Sequence, residues 1–192
     1  MTGDQLDKEA MVAALRLVGE KLDWPVEVEV VIVGGAAGML LGVWPPGRIT
    51  EDADIVEISP PIQPRDALIR AAHEAAEELD LSPHWLNDDF TAFGTLDTLP
   101  DAWRQRAVEI GTFRKLRVVS PGRQDLLAMK VYAGRPQDIE DVYSCLDTLT
   151  ADDLTFIRGY LESLCAPHRR NIKQDQLEQA FALLRLLEED VR

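Results

Sequence analysis

The chain has 192 residues, of which 46% are hydrophobic and 28% charged, enough for one domain with its own core plus a helical appendage and too little for a separate second core. No apolar run approaches the roughly 20 residues of a membrane helix, and an N-terminus carrying Asp4, Asp7 and Glu9 is unlike a secretory leader, so the expected location is the cytoplasm, with no membrane partner. A net charge of -14 argues against an extended nucleic-acid footprint, because affinity for a phosphate backbone comes from Lys and Arg; a short local contact stays open.

In chain order, Leu6, Met11, Ala14, Leu15, Val18 and Leu22 recur at helical spacing behind a cap at Asp4, and Pro25 ends that helix. Residues 26–33 alternate Val with Glu27 and Glu29 and then become wholly apolar, the pattern of a strand whose second half enters the core. Gly34-Gly35 follows, then a short helix over 36–41 and a loop stiffened by Pro45 and Pro46. Trp44 in that loop is either an anchor or a platform for a stacked base. A strand over 53–58 gives way to a proline-rich loop. Leu68, Ala71, Ala72, Ala75 and Leu79 then mark an amphipathic helix that reads as scaffold.

Residues 86–106 carry little periodic signal. Asn87-Asp88-Asp89 reads as a polar turn, and Phe90, Phe93, Leu96, Leu99 and Trp103 read as an irregular segment packed under the sheet. Residues 108–110 and 116–119 form a predicted hairpin. A helix over 123–133 is broken at Gly134-Arg135, and Pro136 opens the next. A capped helix over 150–164 and a striped one over 171–191 complete the chain. Cys145 and Cys165 form no CxxC or Cys/His cluster and are expected to be reduced helix residues.

Two stretches carry chemistry. In the first, 31–57, a β-branched run ends in Gly34-Gly35, and a loop then brings Arg48 and Thr50 into Asp52-Ala53-Asp54. The glycines permit positive φ and close approach of a phosphate at a helix N-terminus. A strand alternates its side chains, so Asp52 and Asp54 point to one face and could chelate a hard divalent cation. In the second stretch, 125–141, Lys130 lies on a helix, and Asp138 and Asp141 are three apart on the next. Asp138 is also placed to cap that helix, which keeps Asp141 open as the catalytic alternative.

The order Gly-Gly, helix, Arg-x-Thr-x-Asp-x-Asp, followed by a helical Lys and a downstream Asp, resembles the nucleotidyltransferase superfamily that includes DNA polymerase beta, and most of all its AbiEii-type toxin branch. The resemblance covers roughly residues 26–147. It implies an α+β fold with a small mixed nucleotidyltransferase-type sheet flanked by helices: a nucleotidyltransferase-like domain over 1–147, and C-terminal helices over 148–192 packed on it.

The implied activity is transfer of a nucleoside monophosphate from an NTP, with Mg2+ or Mn2+ at Asp52 and Asp54, to RNA, a protein or a small molecule. A toxin–antitoxin context with an antitoxin partner is implied too. Gly34, Gly35, Arg48, Thr50 and Lys130 would hold the nucleotide, Lys130 near the triphosphate, with Asp138 or Asp141 orienting Lys130 or helping to activate the nucleophile. The superfamily commonly adds a third carboxylate on a neighbouring strand. Glu109 is the candidate, since Glu57, three residues beyond Asp54, is expected on the opposite face. Lack of that carboxylate supports the alternative of a degenerate, non-catalytic binding or regulatory module. Arg104, Arg106, Arg114, Lys115 and Arg117 are the expected local contacts for an RNA acceptor.

Overall fold

A helix that begins on a glycine pair and a strand that ends there set the frame. The computed structural model describes residues 5–60, 64–88, 98–166, 169 and 172–191. Strands β1 (Val28–Val33), β2 (Ala53–Ser59), β3 (Leu86–Asn87), β4 (Val108–Phe113) and β5 (Leu116–Ser120) form one sheet in the order β3-β2-β1-β5-β4. The sheet is mixed: β1 runs antiparallel to β2 and parallel to β5, β2 parallel to β3, and β4 antiparallel to β5. Seven α-helices accompany it among the described residues: α1 (Lys8–Lys21), α2 (Gly34–Leu41), α3 (Arg65–Leu79), α4 (Arg123–Ala133), α5 (Pro136–Tyr143), α6 (Ala151–Leu164) and α7 (Gln174–Asp190). The fold is the expected mixed sheet with flanking and C-terminal helices.

Strand alternation gives the sheet two unequal faces. Val28, Val30 and Ile32 of β1, Ala53 and Ile55 of β2, and Leu116 and Val118 of β5 enter the main core with α1, α2 and α3. That buried cluster continues from Leu6 to Leu187, because α4 packs on α2, α6 and α7. The opposite face carries a smaller cluster of Val31, Val33, Val56, Val119 and Leu99, with Trp103 and Met129 against it. Of the residues expected beneath the sheet, Leu99 and Trp103 are thus there, while Phe90, Phe93 and Leu96 lie outside the described residues.

Local details depart from the sequence reading. Helix α1 is capped by Asp7, whose carboxylate accepts the Ala10 N–H at 2.8 Å; Asp4 lies outside the described residues. Leu79 is 39% exposed, and Ala76 takes the buried position on α3. Both cysteines are free, but each follows a helix end rather than lying within a helix. Cys145 is buried and donates its thiol to the Val43 carbonyl at 3.1 Å.

The expectation for Glu57 is overturned. A register shift between Val31 and Ile32 pairs Ile32 with Ile55 but Val31 with Glu57, so one extra residue sits in β2. The bulge returns Glu57 to the face of Asp54, because their cross-strand partners, Val31 and Val33, share that face.

Helix α1 crosses the end of β4 at Gly19, where a Cβ would lie 2.1 Å from the Phe113 carbonyl oxygen. Backbone cannot retreat as a flexible side chain can. Gly19→Ala is therefore expected to lower thermal stability by about 1–3 kcal/mol, read as a drop in melting temperature in a denaturation scan.

Candidate active site

The turn from β1 into α2 is the centre of the site. Gly34 has φ +72°, a conformation costly for side chains with a Cβ, and a Cβ there would lie 3.4 Å from Oδ2 of Asp54. Gly35 has no such torsion; Arg48 Nη2 and Thr50 Oγ1 lie 3.4 and 3.5 Å from where its Cβ would be, ordinary contact distances that place both side chains against the turn. Helix α2 starts on these glycines, two residues earlier than its sequence suggests. The Trp44 ring is buried against Gly38 and its indole N–H donates to the Gly35 carbonyl at 3.1 Å, so this tryptophan anchors the turn.

The loop bearing Arg48 and Thr50 is held from two sides. Leu6 and Thr50 exchange backbone hydrogen bonds of 2.7 and 3.0 Å, and the Thr50 hydroxyl donates to the Asp52 carbonyl at 3.1 Å. Ala53 is fully buried in the main core, whereas Asp54 lies opposite Val33 on the other face and Asp52 is exposed at the start of β2. Partial desolvation and the neighbouring Glu51 push the Asp52 carboxyl above the ordinary range, and Arg135 opposes them. On the far side of Asp54, β3 places Asn87 in register with it. In sequence Asn87 looks like part of a polar turn, since a two-residue strand has no periodicity to detect.

Helices α4 and α5, joined through Gly134 at φ +61°, bring the second stretch together. The Lys130 ammonium donates to Asp138 Oδ1 at 2.7 Å and pairs with Asp141 Oδ2 at 2.8 Å, and it stands 5.4 Å from the centre of the Trp44 ring. All three charged side chains are buried: Lys130 and Asp141 are 7% exposed and Asp138 1%.

Each aspartate also grips an arginine. Arg48 donates Nε to Asp141 at 2.8 Å and Nη2 at 3.3 Å. Arg135 donates Nε to Asp138 at 2.6 Å and Nη2 at 3.2 Å, while its side chain stays 71% exposed. Burial opposes ionisation of Asp138, but the hydrogen bonds from Arg135 and Lys130 prevail and hold its carboxyl below the usual range. The bond to Asp138 raises the basicity of Arg135 further, with contributions from the charges of Asp54 and Asp52. Arg135 thus adds an exposed cation to this cluster, although its sequence shows only a helix break there.

The structure therefore brings Gly34, Gly35, Arg48, Thr50 and Asp54 together, with Asp52 alongside. Through Arg48 it links them to Asp141, Lys130 and Asp138. The remaining acids are engaged elsewhere. Glu109 stands on the edge strand β4, two strands away from β1, where Arg117 donates to it at 3.0 Å. Glu57 is paired with Arg104. Among the described residues no group of three or more His, Cys, Asp or Glu converges as a metal site. Asp52 and Asp54 still suit Mg2+, which is commonly held by one or two carboxylates with substrate phosphates and water completing its shell.

The basic residues expected to contact RNA are mostly committed within the protein. Arg104 and Arg117 bind Glu29, Arg106 forks onto the buried Asp125, and Lys115 donates to the Trp24 carbonyl. Arg114 occupies the β4–β5 turn at φ +54°. No helix among the described residues is long and apolar enough to cross a membrane.

A family model described as "Nucleotidyltransferase of unknown function (DUF6036)" matches residues 10–155, from α1 into α6, and includes every residue of the site. No curated protein and no solved structure matches the chain. The match spans well over half of the sequence and contains both the glycine-turn and the lysine–aspartate stretches, so the chain belongs to this family of nucleotidyltransferases.

Proposed function

We propose that the protein moves a nucleoside monophosphate from an NTP to a hydroxyl-bearing acceptor, with Mg2+ or Mn2+ bound at Asp52 and Asp54. The observation that carries this reading is the convergence of Arg48, Thr50 and Asp54 on the Gly34-Gly35 turn, each within 3.5 Å of a position that a Cβ would fill. A turn stripped of side chains beside a guanidinium and a carboxylate suits a phosphate chain that arrives with a cation.

In the reaction the acceptor oxygen bonds the α-phosphorus, the bond to the bridging oxygen of the β-phosphate breaks, and pyrophosphate leaves with that electron pair. The hydroxyl proton passes to solvent water. A divalent cation held by the two aspartates would neutralise charge on the phosphate oxygens and acidify the attacking hydroxyl. Gly34 and Gly35 orient the phosphates, Arg48 and Thr50 hold the nucleotide, and Asp138 or Asp141, which hold Lys130 between them, helps to activate the nucleophile. The acceptor is RNA, a protein or a small molecule. The resemblance to AbiEii-type toxins supports an antitoxin as protein partner.

The test is to incubate the protein with each NTP, Mg2+ and total RNA or protein, and to search for nucleotidyl adducts by mass spectrometry. An adduct dependent on both NTP and metal is expected. A second reading, a non-catalytic module of the same fold, is favoured by the lack of a three-carboxylate cluster among the described residues. NTP binding without any adduct would select it, and no NTP binding would sink the nucleotide reading altogether.

A further inference from the structure

We propose that Lys130 is a positioning residue which never meets the nucleotide, and that Arg135, at the far end of the ion-pair chain that begins at Arg48, is the cationic arm that does. The inference rests on the nucleotidyltransferase reading and assigns its charge contacts to different residues.

The argument starts from accessibility. A lysine that binds phosphate needs donors free in the cleft, yet the Lys130 ammonium is 7% exposed, within 2.8 Å of two carboxylates and beside the Trp44 ring. Ammonium is a compact charge with three donors, and two are taken by Asp138 and Asp141. Each of those carboxylates holds an arginine through two guanidinium nitrogens. The chain Arg48–Asp141–Lys130–Asp138–Arg135 is thus alternating in charge and closed at its centre by the lysine. Without Lys130, the two buried carboxylates would lose the charge they share, each keeping only its arginine, and the forks they aim would lose their fixed direction.

The two ends of this chain differ. Arg48 is half-buried and touches the Gly35 side of the turn. Arg135 is 71% exposed, and only part of its five-donor fork is used by Asp138. An exposed guanidinium fixed at its base, and tied through Asp138, Lys130 and Asp141 to the arginine that lies against the glycine turn, is placed to bind an anion seated at that turn.

Inorganic tripolyphosphate with Mg2+ is the probe, and calorimetry reads its affinity. Arg135→Gln is expected to weaken binding about tenfold or more without changing the melting temperature by more than a few degrees. Lys130→Met is expected to weaken binding in the otherwise native protein, but to have no further effect when Arg48→Gln and Arg135→Gln are already present, because it acts through them. Should Lys130→Met fail to fold, Asp138→Asn supplies the readout: it leaves the lysine in place but releases Arg135, and is expected to weaken binding to the same degree as Arg135→Gln.

Binding unchanged by Arg135→Gln, or by Asp138→Asn, would overturn the inference alone. So would a Lys130→Met loss that multiplies with the arginine losses. Failure of the wild-type protein to bind either tripolyphosphate or NTP would remove the nucleotide reading and this inference with it.

Discussion

Replacing Asp52 and Asp54 together by Asn is expected to abolish both nucleotidyl transfer and the metal-dependent part of NTP binding while leaving the fold intact. Asp52 is exposed and Asp54 half-buried, and neither belongs to the hydrophobic core, so the substitutions leave the strand pairing of β2 unchanged. What is lost is the pair of anionic oxygen donors beside the glycine turn, since Asn keeps only a neutral carbonyl oxygen. A cation that neutralises a transferring phosphoryl group contributes several kcal/mol to the transition state, and removing it is expected to lower transfer by about a thousandfold or more. The binding side is read by thermal shift, since a ligand that binds only the native state raises its stability by mass action. An undiminished Mg2+ response in the double variant would sink the metal assignment, whatever happened to activity.

The largest effect on stability is expected at Lys130. Lys130→Met preserves much of the side-chain volume but leaves Asp138 and Asp141, 1% and 7% exposed, facing each other without the charge between them. Breaking a buried ion pair by removing one partner costs about 3–5 kcal/mol, which a urea or thermal denaturation curve resolves easily.

The pH dependence of the wild-type protein follows from the same cluster. Asp138 titrates lower folded than unfolded, so its contribution is fully present above the ordinary Asp pKa of about 3.9 and is lost as pH falls through its depressed folded value. In Lys130→Met one source of that depression is gone, so the acid loss attributable to Asp138 shrinks and the gap between the two proteins narrows below about pH 4. A gap constant with pH would show that the lysine stabilises by packing alone.

Local rules carried much of this molecule. The apolar strand ending in Gly34-Gly35, the helix breaks at Gly134 and Pro136, the Thr150 cap and the order of the elements other than β3 were visible, because they depend on torsional preference and on side-chain period within a few residues. The two chemical stretches were visible for the same reason: residue types at fixed spacing.

What joined them was decided only by tertiary structure. Arg48 meets Asp141 across 93 positions of sequence, and no local pattern encodes such a contact. The bulge in β2 turned Glu57 onto the face that alternation alone denied it, because a bulge is set by pairing with β1 rather than by the strand's own residues. Asn87 reached Asp54 through a strand of two residues, too short for periodicity. The basic run from Arg104 to Arg117 looked like a surface for phosphate until the fold set acids opposite it. Sequence showed which charges the protein has; the burial of Lys130 between two aspartates, and the outward reach of Arg135, came from the packing of α4 against α5. Whether a charge faces a ligand or another part of the chain depends on desolvation and on partners distant in sequence, and these exist only once the chain has folded.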